Sequence, residues 1–198
     1  MPGFLKTLPL LAALALTGPA FAQDNTTTTP PAEADAPAET LSMGEDVQVE
    51  PYVRETSGDW SLECIRTGTD EEPCQLFQAL NDADGNQVAN IRIFRLKEGG
   101  QAEAGALVAV PLETLLTSKL TIAVDGAKGK RYDFSVCDRL GCYARVGLTS
   151  EDIASFKRGA KATVSLVPFV APDQKVMLDL SLKGFTAGYE EVSVVNAQ

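Results

Sequence analysis

Apolar and polar side chains alternate with a period of two through most of the chain beyond residue 58. In Lys161 to Leu166, Ala162, Val164 and Leu166 face away from Lys161, Thr163 and Ser165. In Lys175 to Leu182, Val176, Leu178, Leu180 and Leu182 alternate with Lys175, Met177, Asp179 and Ser181. Arg131 to Val136 sets Tyr132, Phe134 and Val136 against Arg131, Asp133 and Ser135, and Leu120 to Val124 follows the same rule. Each pattern is that of a strand with one face inward. Further strands are expected over Trp60 to Cys64, Cys74 to Leu80, Val88 to Leu96, Ala106 to Val110 and Cys142 to Leu148. Turn chemistry lies between them: Asp84-Gly85-Asn86, Glu98-Gly99-Gly100, Asp125-Gly126 and Ala171-Pro172-Asp173.

One segment departs from alternation. Thr149 stands three residues ahead of Asp152, Ile153 and Phe156 follow, and Gly159 closes the run, which predicts one short capped helix near 150–158. Eight or nine short strands with one helix predict an all-β fold, an antiparallel β-sandwich or a partly open barrel.

The chain before this domain has a different texture. Lys6, the apolar run Leu8 to Leu16, Thr17-Gly18-Pro19 and Ala20-Phe21-Ala22 follow the order of a cleavable signal peptide over residues 1–22. The apolar run is well short of the roughly 20 residues of a spanning helix, so no membrane-spanning segment is expected after cleavage. Gln23, where a lipoprotein would carry Cys, predicts release without a lipid anchor. Residues 23–50 hold four consecutive threonines, three prolines, seven acidic residues and no basic one, the composition of a disordered leader. Residues 51–198 then carry 16 basic against 20 acidic side chains, so the low pI belongs largely to the leader. No basic footprint for nucleic acid is present. The expected location is the periplasm, the medium or the outer surface.

Export changes how the four cysteines read. Three pairings are open; Cys64 with Cys74, and Cys137 with Cys142, is preferred because turn-forming residues separate strand-like flanks in each pair. Zinc knuckles use narrower spacing than the first pair, and a redox catalyst would carry Cys-x-x-Cys. The cysteines therefore read as structural disulfides in an oxidising compartment.

The chain has no histidine, which removes Ser-His-Asp, Cys-His and imidazole-base chemistry. Asp82-Ala83-Asp84-Gly85-Asn86 resembles a calcium loop only locally, since alignment on Gly85 puts Leu80 and Ile91 at ligand positions; it reads as a hairpin turn. Glu71-Glu72 and Glu151-Asp152 read as a solvated loop and a helix first turn. Trp60, the only tryptophan, alternates with Leu62 and reads as core. No catalytic residue, metal ligand or cofactor site is expected.

Several short motifs stand out together: Gly58-Asp59-Trp60, Pro73-Cys74-Gln75-Leu76, Val124-Asp125-Gly126, Gly141-Cys142 and Ser181-Leu182-Lys183-Gly184-Phe185, with Cys64 and Cys137. As a set they resemble the invasion-associated locus B family of exported alpha-proteobacterial proteins. The resemblance implies a signal peptide, a β-rich domain, paired cysteines and an association with bacterial entry into host cells. On these grounds the expected function is a non-enzymatic interaction protein with a protein partner in the envelope or on a host cell. The alternative is a small-ligand or glycan binder, or a carboxylate-dependent enzyme.

Overall fold

A computed structural model describes residues 49–68, 72–97 and 100–196, all within one compact unit, Glu45–Gln198. The signal peptide and all but the end of the leader lie outside the described residues. No helix among the described residues is long and apolar enough to cross a membrane.

Twelve strands are described: β1 (Glu50–Ser57), β2 (Trp60–Arg66), β3 (Cys74–Asn81), β4 (Gln87–Leu96), β5 (Ala104–Val110), β6 (Leu120–Val124), β7 (Lys130–Tyr132), β8 (Phe134–Cys137), β9 (Cys142–Leu148), β10 (Lys161–Leu166), β11 (Val176–Ser181) and β12 (Val194–Val195). They form one sheet in the order β7-β6-β10-β11-β3-β4-β5-β9-β8, with the β1–β2 hairpin added to β3 and β12 added in parallel to β4. The two ends of that path, β7 and β8, are separated in the chain by Asp133 alone. A sheet whose edges are one residue apart has to curve back on itself, and the result is a nearly closed barrel. Alternation holds inside it: Leu62, Leu76, Leu80, Ile91, Ile93, Val108, Leu178 and Leu180 are buried.

Two helices, α1 (Ser150–Arg158) and α2 (Phe185–Glu190), pack together beside one end of the barrel. In α1 the Thr149 hydroxyl accepts from the Asp152 N–H while the Asp152 carboxylate accepts from the Thr149 N–H, a reciprocal cap, and Ile153 and Phe156 are buried. Lys130 of β7 lies 2.6 Å from Asp152. Partial burial opposes ionisation of Asp152, but Lys130 and the Thr149 groups outweigh it and hold the carboxyl below its ordinary value. A lowered folded pKa contributes stability above the unfolded value of about 4, and this is lost as pH falls through the folded value. Asp152→Asn is therefore expected to cost about 1 kcal/mol at neutral pH, a deficit that shrinks in urea melts run progressively below pH 4.

The cysteine pairs Cys64–Cys74 and Cys137–Cys142 are joined, each across directly opposed residues of neighbouring strands. Cys64 and Cys74 are buried, whereas Cys137 is exposed. Under graded dithiothreitol, mass-spectrometric alkylation is expected to label Cys137 and Cys142 before Cys64 and Cys74, because thiolate attack needs access to sulfur.

Three features differ from the alternation. The single strand expected over Arg131 to Val136 is split at Asp133, and a register shift between Phe134 and Val136 leaves Val136 exposed. The chain is also regular where no element is expected, in β1, β12 and α2.

Candidate functional site

The hydrogen-bonded register sorts the loops by barrel end. Val110 pairs with Cys142, Asn90 with Ala109 and Leu166 with Val176. The 111–119 loop, the 138–141 turn and the 167–175 loop therefore lie at the end opposite α1 and α2. These three segments expose Leu112, Leu116, Leu140, Phe169 and Val170; Leu140 is 87%, Val170 77% and Phe169 66% exposed.

The loops that carry these side chains are internally bonded. Leu115 N–H donates to Val167 O at 2.8 Å and Phe169 N–H to Glu113 O at 2.7 Å, so the 111–119 and 167–175 loops are laced together. The Thr114 hydroxyl donates to Pro111 O. In the third segment Asp138 accepts from the N–H groups of Leu140 and Gly141, and a Cβ on Gly141 would lie 2.5 Å from Val110 O. The absence of a side chain at Gly141 is what lets this turn reach the end of β5. The apolar rim is thus displayed on ordered turns, which lowers the entropy lost when a partner covers it.

The motif residues Gly58, Asp59, Trp60, Gly184 and Phe185 gather elsewhere, whereas Gly141 lies in the rim's own 138–141 turn. Gly58-Asp59 turns between β1 and β2, and Lys183-Gly184-Phe185 joins β11 to α2; the two turns touch. Asp59 N–H donates to Lys183 O at 3.1 Å and the Ser57 hydroxyl donates to Gly184 O at 2.9 Å. Trp60 and Phe185 are fully buried, their ring centroids 5.5 Å apart, with Phe156 and Tyr189 each 5.4 Å from Phe185. Pro73 and Gln75 lie apart from this cluster, flanking Cys74 on β3, where Pro73 O accepts from Ile65 N–H. These residues close the helix-covered end and fasten β2 to β3; they do not line the exposed rim.

The fold and these motifs meet in one comparison: the family described as Invasion associated locus B (IalB) protein matches residues 60–193. The chain belongs to that family. It is similar in structure to invasion associated protein B from Bartonella henselae, a crystal structure, with a TM-score of 0.57 at 20% identity over 69% of this chain and 92% of that one. At this identity the likeness carries the fold alone. No curated protein matches the chain.

One further concavity belongs to this IalB-family domain. Along one edge β3 pairs first with β2, through Phe77, and then with β11, through Asn81. The Gln78 side chain spans the break: its amide donates to Ser181 O at 3.0 Å and its oxygen accepts from Ser181 N–H at 2.7 Å, as a backbone ladder would. Outside this junction lies a groove of about 770 Å³ bordered by Phe77, Met177, Asp59, Asp82 and Asp179. Its carboxylates are already engaged: Asp59 accepts from the Ser181 hydroxyl at 2.6 Å, and Asp179 lies 3.5 Å from Lys161. Asp82 accepts from Asn86 and Asp84 within the hairpin turn, bonds that hold its carboxyl below the ordinary range. No cluster of metal-binding side chains occurs among the described residues.

Sequence reasoning missed Gln78 and the rim. Gln78 falls in phase with Cys74, Leu76 and Leu80, and a polar residue in an inward phase is the signal that marks it. The rim residues sit in loops, where no periodicity singles them out.

Proposed function

We infer that this chain is an exported, non-enzymatic interaction protein of the IalB family that docks a protein partner of the envelope or of a host cell through the open end of its barrel. The observation that carries this is the apolar rim, five large side chains exposed at one end on three ordered segments, two of them hydrogen-bonded to each other and the third braced within itself. Large apolar side chains left exposed together at one end of a domain mark an interaction site. Export is supported by the signal-like N-terminus, family membership and paired cysteines.

The test is crosslinking in intact cells with wild type and with the triple variant Leu140→Ser, Phe169→Ser, Val170→Ser. Wild type is expected to give a reproducible crosslinked partner from the periplasm or cell surface, with Gln23 as the mature N-terminus. The variant should lose it at an unchanged melting temperature, since these side chains contribute nothing to the core. Equal crosslinking by both proteins would refute the rim as the docking surface.

The groove beside Gln78 favours a second reading, a small-ligand or glycan binder, because its size falls in the range of ligand sites. Under the docking proposal, soluble envelope glycan fragments should leave the amide signals of residues 77–82 and 177–181 unmoved.

A further inference from the structure

We propose that the barrel carries a phosphate-binding pocket on its side wall, where the 111–119 and 167–175 loops meet β6, β7 and β10, lined by none of the five exposed apolar rim side chains. Three strands contribute one outward row: Arg131 of β7 is paired with Thr121 of β6, and Thr121 lies opposite Ser165 of β10. Lys119 and Lys175, which immediately precede β6 and β11, close the same space, a cavity of about 280 Å³. Its lining therefore brings three cations together with one carboxylate, Asp173, while Asp133 outside the lining pairs Lys119. This local excess stands out on a domain with more acidic than basic side chains.

The chemistry of the lining selects the ligand. Arg131 and Lys175 have no ion pair among the described residues, and neither do the hydroxyls of Ser118, Thr121 and Ser165 have a hydrogen-bond partner there. A forked guanidinium, an ammonium and several free hydroxyls present donors from different directions, which suits a tetrahedral oxyanion better than a planar carboxylate. Lys119 is held in place from two sides. Its N–H donates to Leu116 O at 3.1 Å, and its ammonium lies 2.9 Å from Asp133. Its backbone has φ +59° and ψ 156°, a region that side chains rarely occupy. A lysine held in that conformation fits a role for its charge at this place.

The phosphate group can arrive free or on a lipid head group, and two arms of one experiment separate these sources. Protein purified from cells expressing the full-length chain is titrated with inorganic phosphate against chloride at constant ionic strength, followed by amide NMR. Saturating shifts are expected at residues 117–121, 165 and 173–175, with affinity reduced about tenfold or more in Arg131→Gln/Lys175→Gln. In the second arm, the protein is sedimented with vesicles of phosphatidylglycerol and phosphatidylcholine, or of phosphatidylcholine alone. Sedimentation with the anionic vesicles, lost in the double variant, assigns a lipid-borne phosphate; saturation by inorganic phosphate without vesicle binding assigns a soluble one. Absence of both, or binding that the double variant retains, overturns the pocket. The rim variant used for the docking proposal should bind inorganic phosphate like wild type, so each proposal can fail alone.

Discussion

Gly184→Ala is expected to destabilise the domain by roughly 3 kcal/mol or more, enough to lower the melting temperature by about 6–12 °C. Gly184 has φ +85°, and a Cβ there would lie 2.0 Å from Ser57 O. The facing turn has the same problem, since a Cβ on Gly58, at φ +59°, would lie 2.3 Å from Lys183 O. Each turn is thus built to the width of bare backbone. A methyl group on either side must push the β1–β2 turn off the β11–α2 junction and break the Asp59–Lys183 and Ser57–Gly184 hydrogen bonds. The left-handed conformation alone costs an alanine about 1 kcal/mol or more, and each lost bond adds about 1. Circular-dichroism melts of Gly184→Ala, Gly58→Ala and the double variant check this. Because both side chains would strain one contact, the double variant should be less damaging than the sum of the singles.

How much of this was legible in the sequence depends on what each residue's signal competes with. The strand over Lys161–Leu166 was readable to the residue because its inward and outward faces meet opposite environments. The α1 cap was readable because Thr149 and Asp152 form a local motif that needs no tertiary context. β1 was not, because both of its faces are largely exposed and no alternation is imposed on Glu50–Ser57. α2 is only six residues long and follows a glycine with no side-chain cap; its one periodic trace is Phe185 and Tyr189, four apart. The split at Asp133 reflects closure of the barrel, a property of the whole sheet that no six-residue window contains. The family motifs were legible as a set, but the meeting of Gly58-Asp59-Trp60 with Lys183-Gly184-Phe185 at the helix-covered end is a long-range contact that only the fold creates.

Trp60 separates the structural part of the family pattern from the functional part. Trp60→Ala is expected to cost about 3–5 kcal/mol, because it empties the volume against Phe185 at the centre of the aromatic cluster. Trp60→Phe should cost much less than this. The indole Nε1–H is buried with no hydrogen-bond partner among the described residues, and such a donor carries a penalty of about 1–3 kcal/mol. Phenylalanine removes that penalty while keeping a ring on Phe185, so the two effects offset. Chemical-denaturation midpoints for the two variants decide it, and equal losses would mean that ring packing is not what Trp60 supplies. The same pair distinguishes stability from docking in cells. If the rim is the contact surface, Trp60→Phe retains the crosslinked partner, whereas Trp60→Ala loses it only in proportion to the folded protein that remains.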